Sequence, residues 1–162
     1  MYIHLSDCMK TQQPSLLPAL PCACANVRRA ARALTQLYDD SVRPAGLRMT
    51  QFTILQALSL TGEISQGGLG ALLVMDSTSL TRTLRLLRAK GWIEIRPGTD
   101  RRERLVKLSA LGRKQLERAT PSWQKAQSRL ETALGPSHWR ALPQITNEVT
   151  NRAADMQQRS MQ

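Results

Sequence analysis

The feature of this sequence that most restricts its fold is a pair of short helical segments joined by a tight turn. Ser65 can cap the first segment (QGGLGALL), and Asp76 can cap the second, which Gly91 ends. Residues 74–76 form the turn between them. Three glycines weaken the first helix, each by up to about 1 kcal/mol relative to alanine. Packing against the rest of the chain must therefore hold this helix in place.

The period of the apolar residues changes from helical to alternating at the end of the second helix. Ile93 and Ile95 share one face of a first strand, and Val106 and Leu108 share one face of a second. The segment between them, 96–102 (RPGTDRR), combines turn residues with arginines. This pattern predicts a two-stranded hairpin with a basic tip.

Two further helices are predicted before this segment. Residues 22–42 are rich in Ala, Arg and Leu, and RPAG at 43–46 ends this helix. Thr50 can cap the next helix, which stops at Thr61-Gly62. One face of the first helix carries Val27, Ala31, Leu34 and Tyr38.

Helices are also predicted after the hairpin. Ser109 caps a long helix that Gly135-Pro136 breaks, and a last helix follows. The long helix has an apolar seam at Leu116, Ala119, Trp123, Ala126 and Leu130, and the last helix has one at Leu142, Ile145, Val149, Ala153 and Met156. The sequence therefore predicts a mainly α-helical fold with a small β-hairpin.

Length and charge limit the classes of function. The 162 residues suit one domain, and 23 Lys+Arg against 12 Asp+Glu give a formal net charge of +11. This excess indicates a polyanionic partner. The apolar runs, such as 69–75, are too short to span a membrane, and the N-terminus lacks the order of a secretory signal. We therefore expect a cytoplasmic protein without a membrane partner.

The second helix of the pair has a polar face that suits a DNA groove. At about 100° per residue, Leu80, Leu84 and Leu87 lie together, and short polar residues and arginines lie opposite. Arg can bond guanine O6 and N7 or grip phosphate, and Ser or Thr can contact base edges or backbone. Ser77 and Ser79 are also placed for phosphate contacts through free N–H groups at the helix start. A solvated amphipathic helix is the alternative, but the basic hairpin directly downstream favours DNA.

The run from Ile64 to Leu116 resembles the winged helix-turn-helix core of the MarR family of bacterial regulators, including an Asp-x-Arg wing motif at Asp100 and Arg102. The resemblance implies a homodimer joined through N- and C-terminal helices. It implies binding to a palindromic double-stranded operator, as a repressor released by a small, often phenolic or carboxylated, effector. Asp100 would hold the wing arginines, and Arg102 would enter or border the minor groove. The DNA-binding set would be Ser77, Thr78, Ser79, Thr81, Arg82, Arg85, Arg96, Asp100, Arg101, Arg102 and Arg104.

This resemblance suggests a division of the chain. Residues 1–20 form an irregular arm, which contains Pro14 and Pro18 and is followed directly by Pro21. Residues 21–48 and 109–162 form a helical dimerisation region, and residues 49–108 form the winged helix-turn-helix lobe of one continuous domain. A two-fold protein would place its two second helices about one DNA turn apart on an inverted repeat.

The cysteines leave two interpretations open. Peroxide-sensing members of the OhrR-type branch carry a reactive Cys near the start of the first helix, and similarity to that branch places Cys24 there and Tyr38 on one of its tyrosine partners. Arg28 stands where a second tyrosine would be expected; it could favour the thiolate or lie on the surface. Alternatively, Cys22 and Cys24 are small buried residues.

No motif supports a catalytic or metal site. His4 and His138 lack neighbouring ligands at metal spacing, and the glycines at 67–70 do not follow a strand as a dinucleotide fingerprint requires. We expect no enzyme activity and no cofactor. Three functions remain: a repressor released by a small ligand, a redox- or peroxide-sensing repressor that uses Cys24, and a sequence-indifferent, chromatin-like DNA binder.

Overall fold

The computed structural model describes residues 18–100 and 103–160. Its helices and strands confirm a mainly α-helical fold with a small antiparallel sheet. In chain order they are α1 (Ala23–Val42), a 3-10 turn (Arg43–Ala45), α2 (Met49–Thr61), β1 (Ile64–Ser65), α3 (Gln66–Leu73), α4 (Ser77–Ala89), β2 (Ile93–Pro97), β3 (Arg104–Leu108) and α5 (Ala110–Arg159).

The chain divides into two compact units, Met1–Leu34 and Thr35–Gln162. In the described part of the first unit, the side chain of Asn26 accepts the N–H of Leu20 at 3.0 Å and donates to the Leu20 carbonyl at 2.7 Å. Arg29 donates to the carbonyl of Pro18 at 3.1 Å. These bonds hold the segment before α1 against its first turns.

The core of the second unit is built around α2. Phe52, Ile54 and Leu55 are completely buried, and Phe52 lies against Trp123 of α5 with ring centroids 5.5 Å apart. Such aromatic pairs add about 0.5–1.5 kcal/mol to the free energy gained by burial. The same core takes side chains from every neighbouring element, among them Val42, Leu47, Leu58, Leu69, Leu80, Leu84, Leu87, Ile93, Val106 and Leu116.

The start of α2 differs from the sequence prediction. Thr50 was expected to cap this helix, but Arg48 occupies the cap position and Met49 begins the helix. The N–H of Met49 is bound by the carboxylate of Asp39 at 2.5 Å, and the N–H of Arg48 by the side chain of Gln51 at 3.0 Å. A carboxylate from α1 therefore takes the role that a local cap would otherwise have.

The sheet has three strands in the order β1-β3-β2, all antiparallel. The hairpin of β2 and β3 is confirmed, with Ile95 opposite Val106. The sequence analysis did not predict β1, in which Ile64 pairs with the other side of Val106. A strand of two residues is too short to show an alternating pattern.

The predicted break in the last helical region is confirmed. Helix α5 is interrupted at Gly135, whose φ of 76° and ψ of 160° are not helical. Before the break, the predicted seam is buried at Leu116, Ala119 and Ala126.

The start of α5 lies close to the segment that follows α4. Gly112 lies so close to the Trp92 carbonyl that an added Cβ would be 1.9 Å from its oxygen. None of the helices in the described part of the chain combines the length and apolarity needed to cross a membrane.

Candidate DNA-binding surface

Helix α4 presents one apolar and one polar face, as its sequence predicts. Leu80, Leu84 and Leu87 are buried in the core. The opposite face is exposed at Ser77, Thr78, Ser79, Thr81, Arg82 and Arg85. These polar side chains and arginines are therefore accessible to a partner outside the chain.

Asp76 fixes the start of α4. Its carboxylate accepts the N–H of Ser79 at 2.8 Å, which confirms the predicted cap. This bond holds the pKa of Asp76 below its usual value. It also occupies the N–H of Ser79, so this one of the amide groups at the start of α4 is bound within the chain. The hydroxyl of Ser79 remains exposed.

The preceding helix is set against α4 by close backbone contacts. Ser65 caps α3 by accepting the N–H of Gly68 at 3.0 Å, as predicted. A Cβ on Gly70 would lie 3.3 Å from the Leu80 side chain and 3.4 Å from the Met75 carbonyl, so the two helices pack closely at this position. In the turn, Val74 has a φ of 51°, in the left-handed region that β-branched residues avoid.

The β2–β3 hairpin, which we call the wing, extends beside α4. At its tip the N–H of Gly98 is bound by the Glu103 carbonyl, and the N–H of Glu103 by the Asp100 carbonyl, both at 2.9 Å. Arg104 and Asp100 are exposed. The predicted wing residues Arg101 and Arg102 lie outside the described residues.

An open groove lies between the start of α3, the start of α4 and the wing. Its volume is about 570 Å³. It brings together Ser77 of α4 with Asp100 and Arg104 of the wing, and it is also lined by Ser65, Gln66, Gly67, Gly70, Ala71, Met75, Leu80 and Glu103. Arg82, Arg85 and Arg96 do not line this groove.

Arg96 has a partner within the chain. Its Nε donates to Glu63 at 2.8 Å, and its Nη2 donates to the other carboxylate oxygen of the same residue. This guanidinium holds the pKa of Glu63 below its usual value. On the same sheet, Lys107 pairs with Glu94 at 3.0 Å. Arg96 is therefore exposed, like the arginines of α4, but it is paired with a carboxylate of its own chain.

Two residues of this surface were missed by the sequence analysis. Glu63 binds Arg96, and Gln66 donates from Nε2 to the hydroxyl oxygen of Thr81 at 2.8 Å. Neither residue belongs to a recognisable motif. The signal that could have found Gln66 is its position directly after the Ser65 cap, where a long polar side chain can reach the following helix.

The cysteines are not buried. Cys22 and Cys24 are both free and exposed, which overturns the interpretation that they are small core residues.

In the second unit, Tyr38 is buried and donates its hydroxyl to Gln127. Burial raises the pKa of Tyr38. Among residues 18–100 and 103–160, no cluster of three His, Cys, Asp or Glu side chains could hold a metal ion.

Comparisons with known proteins agree on one family. The MarR family model matches residues 45–103, from the turn before α2 to the wing tip. The regulator named "Uncharacterized HTH-type transcriptional regulator YwoH" of Bacillus subtilis (strain 168) is 30% identical over 91 residues, which cover 56% of this chain and 66% of YwoH, just under two thirds of its length.

Solved structures extend the similarity to most of the chain. The transcriptional regulator MosR of M. tuberculosis, in complex with DNA, is 36% identical with a TM-score of 0.71, covering 83% of this chain and 97% of MosR. A mutant MarR from E. coli complexed with operator DNA is 25% identical with a TM-score of 0.70, covering 78% of this chain and 91% of that one. With this identity, this coverage and the family match across helix-turn-helix and wing, the chain belongs to the MarR family of transcriptional regulators.

Proposed function

We propose that this regulator binds an inverted-repeat operator in double-stranded DNA as a homodimer, with one α4 helix in each of two successive major grooves, and represses transcription. The observation that carries the proposal is the exposed face of α4, where Thr78, Arg82 and Arg85 point away from the core. Arg82 and Arg85 would read guanine or grip phosphate, and the hydroxyl groups would contact base edges or backbone.

The wing would bind the flanking backbone and minor groove. Arg104 is exposed beside α4, and Arg101 and Arg102 would extend the basic tip. Arginines on α4 and on the wing would displace counterions from the DNA phosphates, which favours binding. The net charge of +11 agrees with such a contribution. Asp100 would orient the wing arginines. MosR and the E. coli MarR mutant, both solved in complex with DNA, support the DNA-binding part of the proposal.

The homodimer would form through residues 21–48 and 109–162, with residues 49–108 as the DNA-binding lobe. The part of α5 after Gly135 supports this division. Its predicted seam is exposed in the single chain, with Ile145 at 59%, Val149 at 49% and Met156 at 69% of full exposure. Contiguous apolar surface of this kind marks an interaction site. A second copy would bury it.

The test compares operator with scrambled DNA. A duplex taken from the DNA upstream of the chain's own gene is titrated at several salt concentrations and footprinted. Arg82→Ala or Arg85→Ala should weaken operator binding about fivefold or more, which is the loss of about 1–3 kcal/mol expected for a base-reading arginine. Arg113→Ala removes an exposed arginine of α5 and serves as the matched control. Equal affinity for operator and scrambled duplex would identify a sequence-indifferent binder instead.

Release by a small aromatic or phenolic acid is the regulatory part of the proposal. A cavity of about 190 Å³ between α1, α2 and the helix-turn-helix supports it, lined by Thr35, Met49, Thr50, Thr53, Leu73 and Met75. Its mixture of hydroxyl and apolar groups suits a ring with one polar substituent. Candidate acids should lower operator affinity through a population shift, and Thr50→Phe, which fills the cavity, should abolish the response.

A redox-sensing repressor is the second candidate, favoured by the exposure of Cys22 and Cys24 at the start of α1. The Cys24 thiolate would attack a peroxide oxygen, breaking the O–O bond and giving a sulfenic acid as water or alcohol leaves. The Cys22 thiol would then displace water to form a disulfide. Peroxide should weaken operator binding in the wild type but not in Cys24→Ser. The third cysteine of the sequence, Cys8, supplies the control, because Cys8→Ser should respond like the wild type.

A further inference from the structure

The contact between Gln66 and Thr81 joins the two helices of the helix-turn-helix on the exposed side. Gln66 is the first residue of α3 and half-buried, and Thr81 is exposed one turn into α4. The Gln66 amide nitrogen lies 2.8 Å from the Thr81 hydroxyl oxygen. An amide N–H can only donate, so the Thr81 oxygen accepts this bond.

Thr81 differs in this respect from seven other helical threonines in the described part of the chain. In those, the hydroxyl donates to the carbonyl four residues earlier, which uses the proton within the helix. This group comprises Thr53, Thr61, Thr83, Thr120, Thr132, Thr146 and Thr150. Within residues 18–100 and 103–160, no group accepts the proton of the Thr81 hydroxyl. The proton is therefore available to an outside acceptor.

We propose that Gln66 is a positioning residue that sets the base preference of Thr81. This inference rests on the proposed function, which places α4 in the major groove. With one lone pair taken by Gln66, Thr81 offers its proton to an acceptor such as guanine O6 or N7, or thymine O4. An amino group such as cytosine N4 is a donor, for which only the second lone pair of the Thr81 oxygen remains, so it is the weaker partner at the same place.

In the test, the full-length protein and each of its variants select DNA from a library in which every base pair of the half-site is randomised. Gln66→Met removes the donor and should reduce the preference at the base pair facing Thr81 about fivefold, the effect of one neutral hydrogen bond. Gln66→Glu replaces the donor by an acceptor that takes the Thr81 proton. It should therefore shift preference at that base pair toward an amino group.

Controls separate this effect from lost folding or lost charge. The base preference is the ratio of one variant's affinities for two DNA sequences. The added charge of Gln66→Glu weakens binding to every sequence, so its effect cancels in this ratio. Thr83→Val should leave the preference unchanged, because Thr83 bonds within its own helix. The double variant Gln66→Met with Thr81→Val should match Thr81→Val alone.

Two outcomes would overturn the inference, and they are distinguishable. If the wild type prefers particular bases and both Gln66 variants keep every preference, Gln66 does not position Thr81. If the wild type itself binds all sequences equally, the proposed sequence-specific function fails and the inference fails with it. Thermal melting of each variant, followed by circular dichroism, verifies that the fold is intact.

Discussion

Arg96 of the wing donates two hydrogen bonds to Glu63, the residue that precedes β1. The pair lies on the sheet that carries the wing, and 33 positions separate the two residues in the chain. An arginine held in this way has a carboxylate beside it, so its charge is largely compensated. The finding separates Arg96 from Arg82, Arg85 and Arg104, which form no ion pair with any residue that the structure describes, and the two groups have different expected roles.

The first prediction concerns the salt dependence of DNA binding. Arg104→Ala should lower the slope of log affinity against log salt by about one, because an unpaired cation on phosphate releases about one counterion. Arg96→Ala should leave the slope nearly unchanged. Glu63→Gln frees Arg96 and should raise the slope. Equal slopes for Arg96→Ala and Arg104→Ala would show that Arg96 also contacts phosphate.

The second prediction concerns the turn between α3 and α4. Val74→Gly should raise the free energy of unfolding by about 0.5–1 kcal/mol, because a left-handed backbone costs a β-branched residue more than the entropy that glycine loses. Val74 is 73% exposed, so little burial is lost. Leu72→Gly, at a 53% exposed helical position, should instead destabilise by about 1 kcal/mol. Urea unfolding of both variants measures the difference.

The third prediction concerns the approach of α5 to the end of α4. Gly112→Ala should destabilise by about 1–3 kcal/mol, because the new methyl group meets the Trp92 carbonyl and the helix must shift. Gly67→Ala is the control: its Cβ has nothing within 4 Å. That change should stabilise α3 by up to about 1 kcal/mol. A Gly112→Ala variant as stable as wild type would contradict the close contact.

The fourth prediction concerns acid stability. The pKa of Asp76 is lowered in the folded chain, mainly by the N–H of Ser79, so its contribution is fully present above the ordinary value of 3.8. It is lost as the pH falls through the lower folded pKa. Asp76→Asn keeps a capping side chain without a titrating carboxyl. Its urea midpoint should therefore fall less steeply than that of the wild type below pH 3.8.

Elements whose determinants are local could be predicted from the sequence. The caps at Ser65, Asp76 and Ser109 lie next to the amide groups they bind, and the break at Gly135 needs only that residue's own backbone freedom. The exposed face of α4 follows from the helical period alone. These features needed no knowledge of the tertiary structure.

Elements set by distant parts of the chain could not be predicted. The start of α2 depends on Asp39, ten positions before Met49. Strand β1 exists only because Ile64 meets Val106, and the Gln66–Thr81 contact spans 15 positions. In each case tertiary packing, and not the local sequence, determines which residue is the partner. The site was therefore predicted as a list of exposed side chains, without the internal contacts that orient them.

Ser65 contacts both the sheet and the first turn of α3. Its backbone pairs with Leu105 in the sheet, and its hydroxyl receives the N–H of Gly68. The hairpin therefore cannot swing away from the body of the lobe without also straining the first turn of α3. The contacts of α4 with the major groove and those of the wing with the flanking backbone would then form or break together.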